Sequence, residues 1–147
     1  MDTIKLASSL RSVVGALHKG LRKRSSMVKK FSMTEMETVG HLSRNQKLFP
    51  SELAALTRIT TQSMSQILSK MEKLELINRT PSQDDKRKVY ISLTVRGKKM
   101  VDETLYERDE WLKNEIEQTL SSKEKEILEK ALPVLNKLLN VDKNGMV

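Results

Sequence analysis

The sequence predicts a mainly α-helical protein with one small β-hairpin, and three observations support this fold class. Apolar residues recur at helical spacing along most of the 147 residues. Two helical patterns are separated by only Thr57-Arg58-Ile59, and two short strand-like runs follow them. A chain of this length suits a single domain, 1–147, and a composition of 37% hydrophobic and 31% charged residues favours folding.

Residues 60–76 are predicted to form one amphipathic helix, because Thr60 suits an N-cap and the segment contains no Gly or Pro. At helical spacing, one side carries Met64, Ile67, Leu68 and Met71. The other side carries Gln62, Ser65, Gln66, Ser69 and Lys73. Short hydroxyls and amides can read base edges in DNA, and Gln can bind adenine with two hydrogen bonds. A merely polar surface is the alternative interpretation.

A shorter helix is predicted just before it, over residues 50–56, with Pro50 at the favoured first position. Leu53, Ala54 and Leu56 can pack on the longer helix. Two helices joined by three or four residues are typical of a DNA-binding helix-turn-helix, in which the second helix enters the major groove.

Two strands are predicted next, at residues 77–80 and 89–93, with a charged loop between them. Beside a recognition helix, such a hairpin can lie along the phosphates and insert an Arg into the minor groove, where the potential is negative. Taken alone, the loop is better explained as an ordinary solvated turn.

Four sequence motifs occur in an order that points to one family. They are Ser51-Glu52-Leu53-Ala54; Thr60-Thr61-Gln62-Ser63-Met64; Met71-Glu72-Lys73-Leu74 with Leu76-Ile77; and Asp84-Asp85-Lys86-Arg87 with Ile91-Ser92-Leu93-Thr94 and Gly97. The most specific feature is an Asp and an Arg two residues apart, Asp85 and Arg87, before a strand that ends Ser-Leu-Thr. From Leu53 to Thr94 the chain resembles the winged helix-turn-helix of the MarR (multiple antibiotic resistance regulator) family.

This resemblance implies roles for individual residues. Arg87 would enter the minor groove and Asp85 would orient it. The residues predicted to bind DNA from the recognition helix are Thr60, Thr61, Gln62, Ser63, Ser65, Gln66, Ser69 and Lys70. Those predicted to bind DNA from the wing are Arg79, Asp85, Lys86, Arg87 and Lys88, with Arg58 added from the turn.

Three positions depart from the family pattern. The family often has Gly in the turn and again near the end of the recognition helix, where this chain has Arg58 and Glu75. An acidic residue common on the recognition helix is Ser69 here, so any ion pair made by that residue is missing.

The positive charge is concentrated near the N-terminus. The 27 Lys and Arg against 19 Asp and Glu give a net charge of +8, and residues 1–30 alone carry +7. The basic stretch from His18 to Lys30 has three possible roles: a membrane-surface segment, a flank that attracts DNA, or a solvated helix end whose cations complement the helix dipole.

Both ends of the chain are predicted to form a helical dimerisation region, residues 1–30 and 96–147, around the winged region 31–95. Their apolar stripes exceed what a lone winged domain of this size can cover, although one larger monomeric core is the alternative. The predicted dimer contacts are Leu6, Leu10, Val13, Leu17, Leu128, Leu132, Leu135 and Leu139.

Several function classes find no support in the sequence. Without Cys there is no disulfide, thiolate metal site or cysteine-based oxidant sensor. No catalytic motif, metal site or cofactor-binding loop is recognisable, and His18 and His41 have no identifiable partner. No apolar run approaches a membrane span and no signal peptide core is present, so we expect a cytoplasmic protein without a membrane partner.

The sequence therefore predicts a dimeric, sequence-specific double-stranded DNA-binding transcriptional regulator, acting as a repressor on a pseudo-palindromic operator. The resemblance adds a small lipophilic or phenolic effector, bound between the dimer helices and the winged region. A winged-helix module that binds protein rather than DNA is the competing hypothesis.

Overall fold

Six α-helices and one antiparallel hairpin make up residues 1–139, the part of the chain that the computed structural model describes. In chain order the elements are α1 (Thr3–Arg22), a 3₁₀ helix (Ser26–Lys29), α2 (Met33–Arg44), α3 (Pro50–Thr57), α4 (Thr61–Lys73), β1 (Ile77–Pro81), β2 (Val89–Leu93), α5 (Val95–Thr119) and α6 (Ser122–Leu139). The predicted mainly α-helical fold with a small hairpin is confirmed. Within the described residues, one compact unit ends at Arg108 and a second begins at Asp109.

Side-chain caps fix where several helices begin. Hydroxyl oxygens of Ser32 and Thr60 accept hydrogen bonds from backbone N–H groups three residues on, at 3.1 Å each, at the starts of α2 and α4. A capping box starts α6, because Ser121 accepts from the Glu124 N–H and Glu124 accepts from the Ser121 N–H. These bonds satisfy donors that a helix start would leave without a partner.

One hydrophobic core holds α2, α3, α4 and the hairpin together. Its side chains with no exposed surface are Leu53, Met64, Leu68, Met71 and Ile91. Met100 and Val101 at the start of α5 pack against the same core. The inward face of α4 is thereby fixed, and the orientation of its opposite face follows from it.

The hairpin is tied to the helices by a short third segment. β1 and β2 pair in an antiparallel register from Ile77 opposite Leu93 to Pro81 opposite Val89. On the other edge of β2, Leu48 and Ile91 exchange two backbone hydrogen bonds of 3.0 and 2.8 Å. The loop before α3 is therefore joined directly to the base of the hairpin.

Local hydrogen bonding and backbone conformation determine where α1 and α4 end. α1 ends at Arg22, and Ser25 caps the 3₁₀ helix that follows. α4 ends at Lys73 rather than Leu76, because Glu75 adopts a left-handed conformation with φ of 60°. The N–H of Leu76 then bonds to the carbonyl of Met71 at 3.0 Å, which is the bond of a Schellman motif.

Helices α1 and α6 each leave an apolar face exposed within the chain. Neither helix has a buried residue. Exposed large apolar residues of α1 are Ile4, Leu6, Val13, Val14 and Leu17, whereas Leu10 is half-buried. Those of α6 are Ile127, Leu128, Leu132, Val134, Leu135, Leu138 and Leu139.

Candidate nucleic-acid interface

The turn between α3 and α4 is short and sharply shaped. Arg58 stands in the left-handed region, with φ of 57°, and the N–H of Ile59 bonds to the carbonyl of Ala54 at 3.1 Å. α3 thus ends in the same Schellman motif as α4. The predicted turn exists without glycine, and the Arg58 side chain is exposed beside the start of α4.

The outer face of α4 carries small and uncharged polar side chains. Met64, Leu68 and Met71 lie fully buried on the opposite face. The predicted reading residues that the structure places at the surface are Thr61, Gln62, Ser63, Ser65, Gln66 and Ser69. A surface of this kind offers hydrogen-bond donors and acceptors without bulky groups that would keep the helix away from a groove floor.

Two hydroxyls of the predicted DNA-binding residues, those of Thr60 and Ser63, form hydrogen bonds within the start of α4. The Thr60 hydroxyl donates to the Ser63 hydroxyl at 2.9 Å, and the Ser63 N–H donates to the Thr60 oxygen at 3.1 Å. These two residues shape the N-terminus of α4, which leaves the amides of Gln62 and Gln66 as its larger outward polar groups.

Arg87 of the wing is exposed to solvent, and a hydrogen bond from its backbone N–H to Asp85 holds its main chain in place. Its side chain is 91% exposed, and Asp85 Oδ1 accepts from its backbone N–H at 3.0 Å and from its Nε at 3.2 Å. The Arg87 backbone N–H, and then its guanidinium, lower the pKa of Asp85 below its usual value. The structure therefore brings together the Asp and Arg that the sequence singled out.

Two further cations of the predicted set are paired with carboxylates. Lys70 on α4 contacts Glu35 on α2, with its Nζ 2.7 Å from Oε2. Arg79 on β1 forms an ion pair with Glu72 on α4 through its Nε. The second pair joins the wing to the recognition helix through Glu72. Ser69 of the same helix carries no carboxylate.

An aromatic and basic stack lies at the base of the wing. The rings of Phe49 and Tyr90 stack with centroids 4.1 Å apart and an interplanar angle of 18°. Lys47 Nζ lies 4.3 Å from the Tyr90 ring centroid, and Lys88 Nζ lies 5.4 Å from that of Phe49. Lys88 of the wing thus makes a cation–π contact with Phe49.

Sequence reasoning missed the carboxylates that partner these cations. Glu35 and Lys70 are 35 residues apart, and no local spacing rule links them. Glu72 and Arg79 lie seven residues apart but on two different elements, so helix periodicity could not pair them. The Phe49 and Tyr90 stack likewise depends on the strand pairing, although two aromatic residues in a chain with 3% aromatics were a usable signal.

Neither a metal-ligand cluster nor a membrane-spanning helix is found in residues 1–139. Within that range, no three His, Asp or Glu side chains are grouped closely enough to hold a metal ion. Burial, and then the nearby Arg44, lower the pKa of His41. None of the described helices is both long enough and apolar enough to span a membrane.

The two helices joined by a tight turn, followed by a hairpin that packs on the same core, define a winged helix-turn-helix protein. The sequence profile of the MarR family matches residues 31–88. Over those residues, which include the helix-turn-helix, the first strand of the hairpin and its loop, the chain is similar to the MarR family.

Known proteins resemble the chain along most of its length. An HTH-type transcriptional regulator of Mycobacterium tuberculosis is 28% identical over 138 residues, which cover 92% of this chain and 94% of that protein. A crystal structure of a transcriptional regulator from Pseudomonas aeruginosa is 26% identical, with a TM-score of 0.78 and coverage of 93% and 94%. The structure of NadR in complex with 4-hydroxyphenylacetate is also 26% identical, with a TM-score of 0.59 and coverage of 92% and 93%.

Proposed function

We propose that the chain is a homodimeric repressor that binds a pseudo-palindromic DNA site and is regulated by a small lipophilic or phenolic effector. The observation that carries this proposal is the outer face of α4, where exposed amides and hydroxyls lie beside a basic wing. An uncharged reading surface flanked by cations separates base recognition from phosphate binding, as a sequence-specific protein requires.

We assign base contacts to Gln62 and Gln66, the two amides on the outer face of α4. We assign the minor-groove contact to Arg87, because it is strongly exposed and its backbone is tied to Asp85. The remaining predicted contacts would bind or orient phosphates; they are Thr60, Thr61, Ser63, Ser65, Ser69, Lys70, Arg58, Arg79, Lys86 and Lys88.

Dimerisation is supported by the exposed apolar faces of α1 and α6. On α1, Leu6 and Val13 are 56% and 64% exposed, and on α6 Leu132 is 59% exposed. Several large apolar side chains exposed along one helix mark an interaction site, and both α1 and α6 carry such a set. A two-fold dimer would place two recognition helices in successive major grooves, about 10 base pairs apart.

A cavity of about 420 Å³ supports the effector part of the proposal. It lies between the 3₁₀ helix, the end of α4 and the start of α5, and it is of a size that suits a small molecule. Apolar side chains of Met27, Phe31, Leu74, Leu76 and Met100 line it together with the cations Lys30, Arg96 and Lys99. A ligand there would contact Leu74, the residue that ends α4, and could shift the reading helices if it prefers one of their arrangements.

Selection of bound duplexes from a random pool tests the proposal. We expect an inverted repeat with half-sites about one helical turn apart. Gel shifts over a salt series, on the recovered repeat and on a scrambled duplex, then measure specificity. Equal affinity for the two duplexes would contradict sequence-specific binding, and unchanged affinity across a panel of phenolic compounds would contradict effector control.

The competing function, a winged-helix module that binds only protein, is not favoured. Lys86, Arg87 and Lys88 give the wing a positive tip that such a module does not need.

A repressor must share a compartment with DNA, which in a bacterial cell is the cytoplasm, and we place the protein there.

A further inference from the structure

Lys70 faces outward from the recognition helix, yet its charge is already neutralised within the protein. Its Nζ lies 2.7 Å from Oε2 and 3.0 Å from Oε1 of Glu35. The ammonium also lies 5.3 Å from the centroid of the Phe31 ring. One carboxylate thus takes two of the three hydrogens that Lys70 can donate.

Glu35 is the fixed partner of this pair and Lys70 the mobile one. The side chain of Glu35 is only 13% exposed, whereas that of Lys70 is 47% exposed. The backbone N–H of Glu35 donates to Ser32 at 3.1 Å, which anchors the residue in the first turn of α2. A half-exposed lysine on a flexible stem can turn toward another anion, but the carboxylate stays in place.

The pair borders the surface that we assign to DNA. Glu35 and Lys70 line one shallow surface depression together with Ser63 and Gln66 of α4. Glu35 is therefore a negative charge held beside the proposed reading residues, and a phosphate would compete with it for Lys70.

We propose that Glu35 attenuates DNA affinity by holding Lys70 away from phosphates, an inference that rests on the DNA-binding function proposed above. Each phosphate that a protein neutralises steepens the dependence of log affinity on log salt by about 0.9, so a lysine paired with Glu35 contributes less than a free one. Because phosphates are the same at every sequence, the effect applies to operator and scrambled DNA alike.

The substitution Glu35→Gln tests the proposal, since it keeps the size of the side chain and one acceptor oxygen, removes the charge and replaces the second acceptor by an NH2 donor. On both duplexes we expect tighter binding and a salt slope steeper by about 0.9 per protomer, or about 1.8 for the proposed dimer. Between 50 and 200 mM salt, the affinity ratio of the variant dimer to the wild-type dimer should fall about twelvefold.

The matched control is Glu37→Gln, which removes the same charge from an exposed position of the same helix. It should leave the salt slope close to that of the wild type. A slope change equal to that of Glu35→Gln would mean that general repulsion, and not the pairing with Lys70, is responsible.

A double-mutant cycle separates pairing from other effects of Glu35. Lys70→Gln should flatten the salt slope of the proposed dimer by about 1.8 in the Glu35→Gln background and by much less in the wild-type background. Equal effects of Lys70→Gln in the two backgrounds would overturn the proposal. If the wild type binds neither duplex, the proposed function fails instead, and circular dichroism of each variant shows whether it is folded.

Discussion

Gln66 and Arg87 represent the two kinds of contact that we propose for this surface. Gln66 is an uncharged side chain on the outer face of α4, and Arg87 is a strongly exposed cation on the wing. Gln66→Ala should relax base preference at one position of each half-site, at a cost of about 1–3 kcal/mol on the operator. Arg87→Ala should weaken binding to operator and scrambled duplexes by similar factors and flatten the salt slope.

Gel shifts on the selected repeat, on single-base variants of it and on a scrambled duplex distinguish these outcomes. A uniform loss of affinity on every duplex after Gln66→Ala would assign that residue to phosphate binding and not to base recognition.

Glu75 illustrates how one residue can carry conformational strain. It holds a left-handed conformation, with φ of 60°, that side chains with a Cβ adopt at a cost of about 1–2 kcal/mol. Glu75→Gly should relieve this strain, and the variant should be more stable than Glu75→Ala by about 1 kcal/mol. The ion pair of Glu75 with Arg96 is long, at 3.7 Å, and both side chains are well exposed, so its loss matters little.

Urea unfolding of the two variants at one protein concentration measures this difference. The Ala variant removes the same side chain and keeps the Cβ, so it is the proper reference. Equal midpoints for the Gly and Ala variants would show that the turn is not strained at this residue.

At the scale of elements, the start of α5 is fixed by a close backbone approach. A Cβ on Gly97 would lie 2.3 Å from the carbonyl oxygen of Leu76, which belongs to the turn before β1. That oxygen also accepts from the N–H of Thr94 at 3.0 Å, so it has little freedom to move. We expect Gly97→Ala to destabilise the protein by about 1–3 kcal/mol, because backbone must shift to accept the methyl group.

Gly15→Ala is the matched control for this substitution. A Cβ there meets no atom within 4 Å, and Ala is favoured over Gly inside a helix by about 0.5–1 kcal/mol. The free energies of unfolding should therefore move in opposite directions in the two variants. A Gly97→Ala variant as stable as the wild type would contradict the tight packing described here.

The wing has its own pH dependence, set by Asp85. Because its pKa is lowered in the folded protein, the interaction is fully present above the ordinary Asp pKa and is lost as pH falls through the lowered value. The tie to Arg87 is therefore intact at neutral pH and loosens only in acid. A carboxyl NMR titration should give Asp85 a midpoint below about 3.9, the unperturbed value.

Arg87→Gln tests the cause of this shift. The backbone N–H of residue 87 is the larger cause and survives the substitution, so the midpoint should rise only part of the way to the ordinary value. A complete return would show that the guanidinium alone lowers the pKa.

The elements themselves were largely predictable from the sequence. The buried Met64, Leu68 and Met71 recur at helical spacing, so the amphipathic helix and its outer face followed from periodicity. The end of α4 did not, because helix propensity continues through Leu76 and only the left-handed Glu75 stops the helix. Glu35 beside Lys70 could not be predicted at all, since its position depends on how α2 packs on α4.

For the whole molecule, the proposed dimer makes the strongest prediction. Leu132→Glu places a charge on the exposed apolar face of α6, where it does not disturb a buried contact within residues 1–139. We expect the variant to keep its helical circular dichroism signal, to sediment as a monomer and to lose most of its affinity for the inverted repeat. Burying the new charge at a dimer interface would be too costly to tolerate.

Glu129→Lys serves as the control, because it changes the charge of an exposed residue on the same helix without adding a charge to that apolar face. This variant should sediment as the wild type does. A wild-type protein that sediments as a monomer at micromolar concentration would rule out the dimer, and the assignment of residues 1–30 and 96–147 to dimerisation would fall with it.

The two backbone hydrogen bonds between Leu48 and Ile91 limit how such a protein can be switched. They hold the loop in front of α3 against β2, so the helix that we propose to read bases and the wing that carries Arg87 keep one relative position. An effector that moved the wing relative to the helix would have to break these two hydrogen bonds. If instead the winged region of each protomer of the proposed dimer rotated as a unit, both hydrogen bonds would stay intact. Such a rotation would change the distance between the two recognition helices, while each winged region kept its preference for sequence.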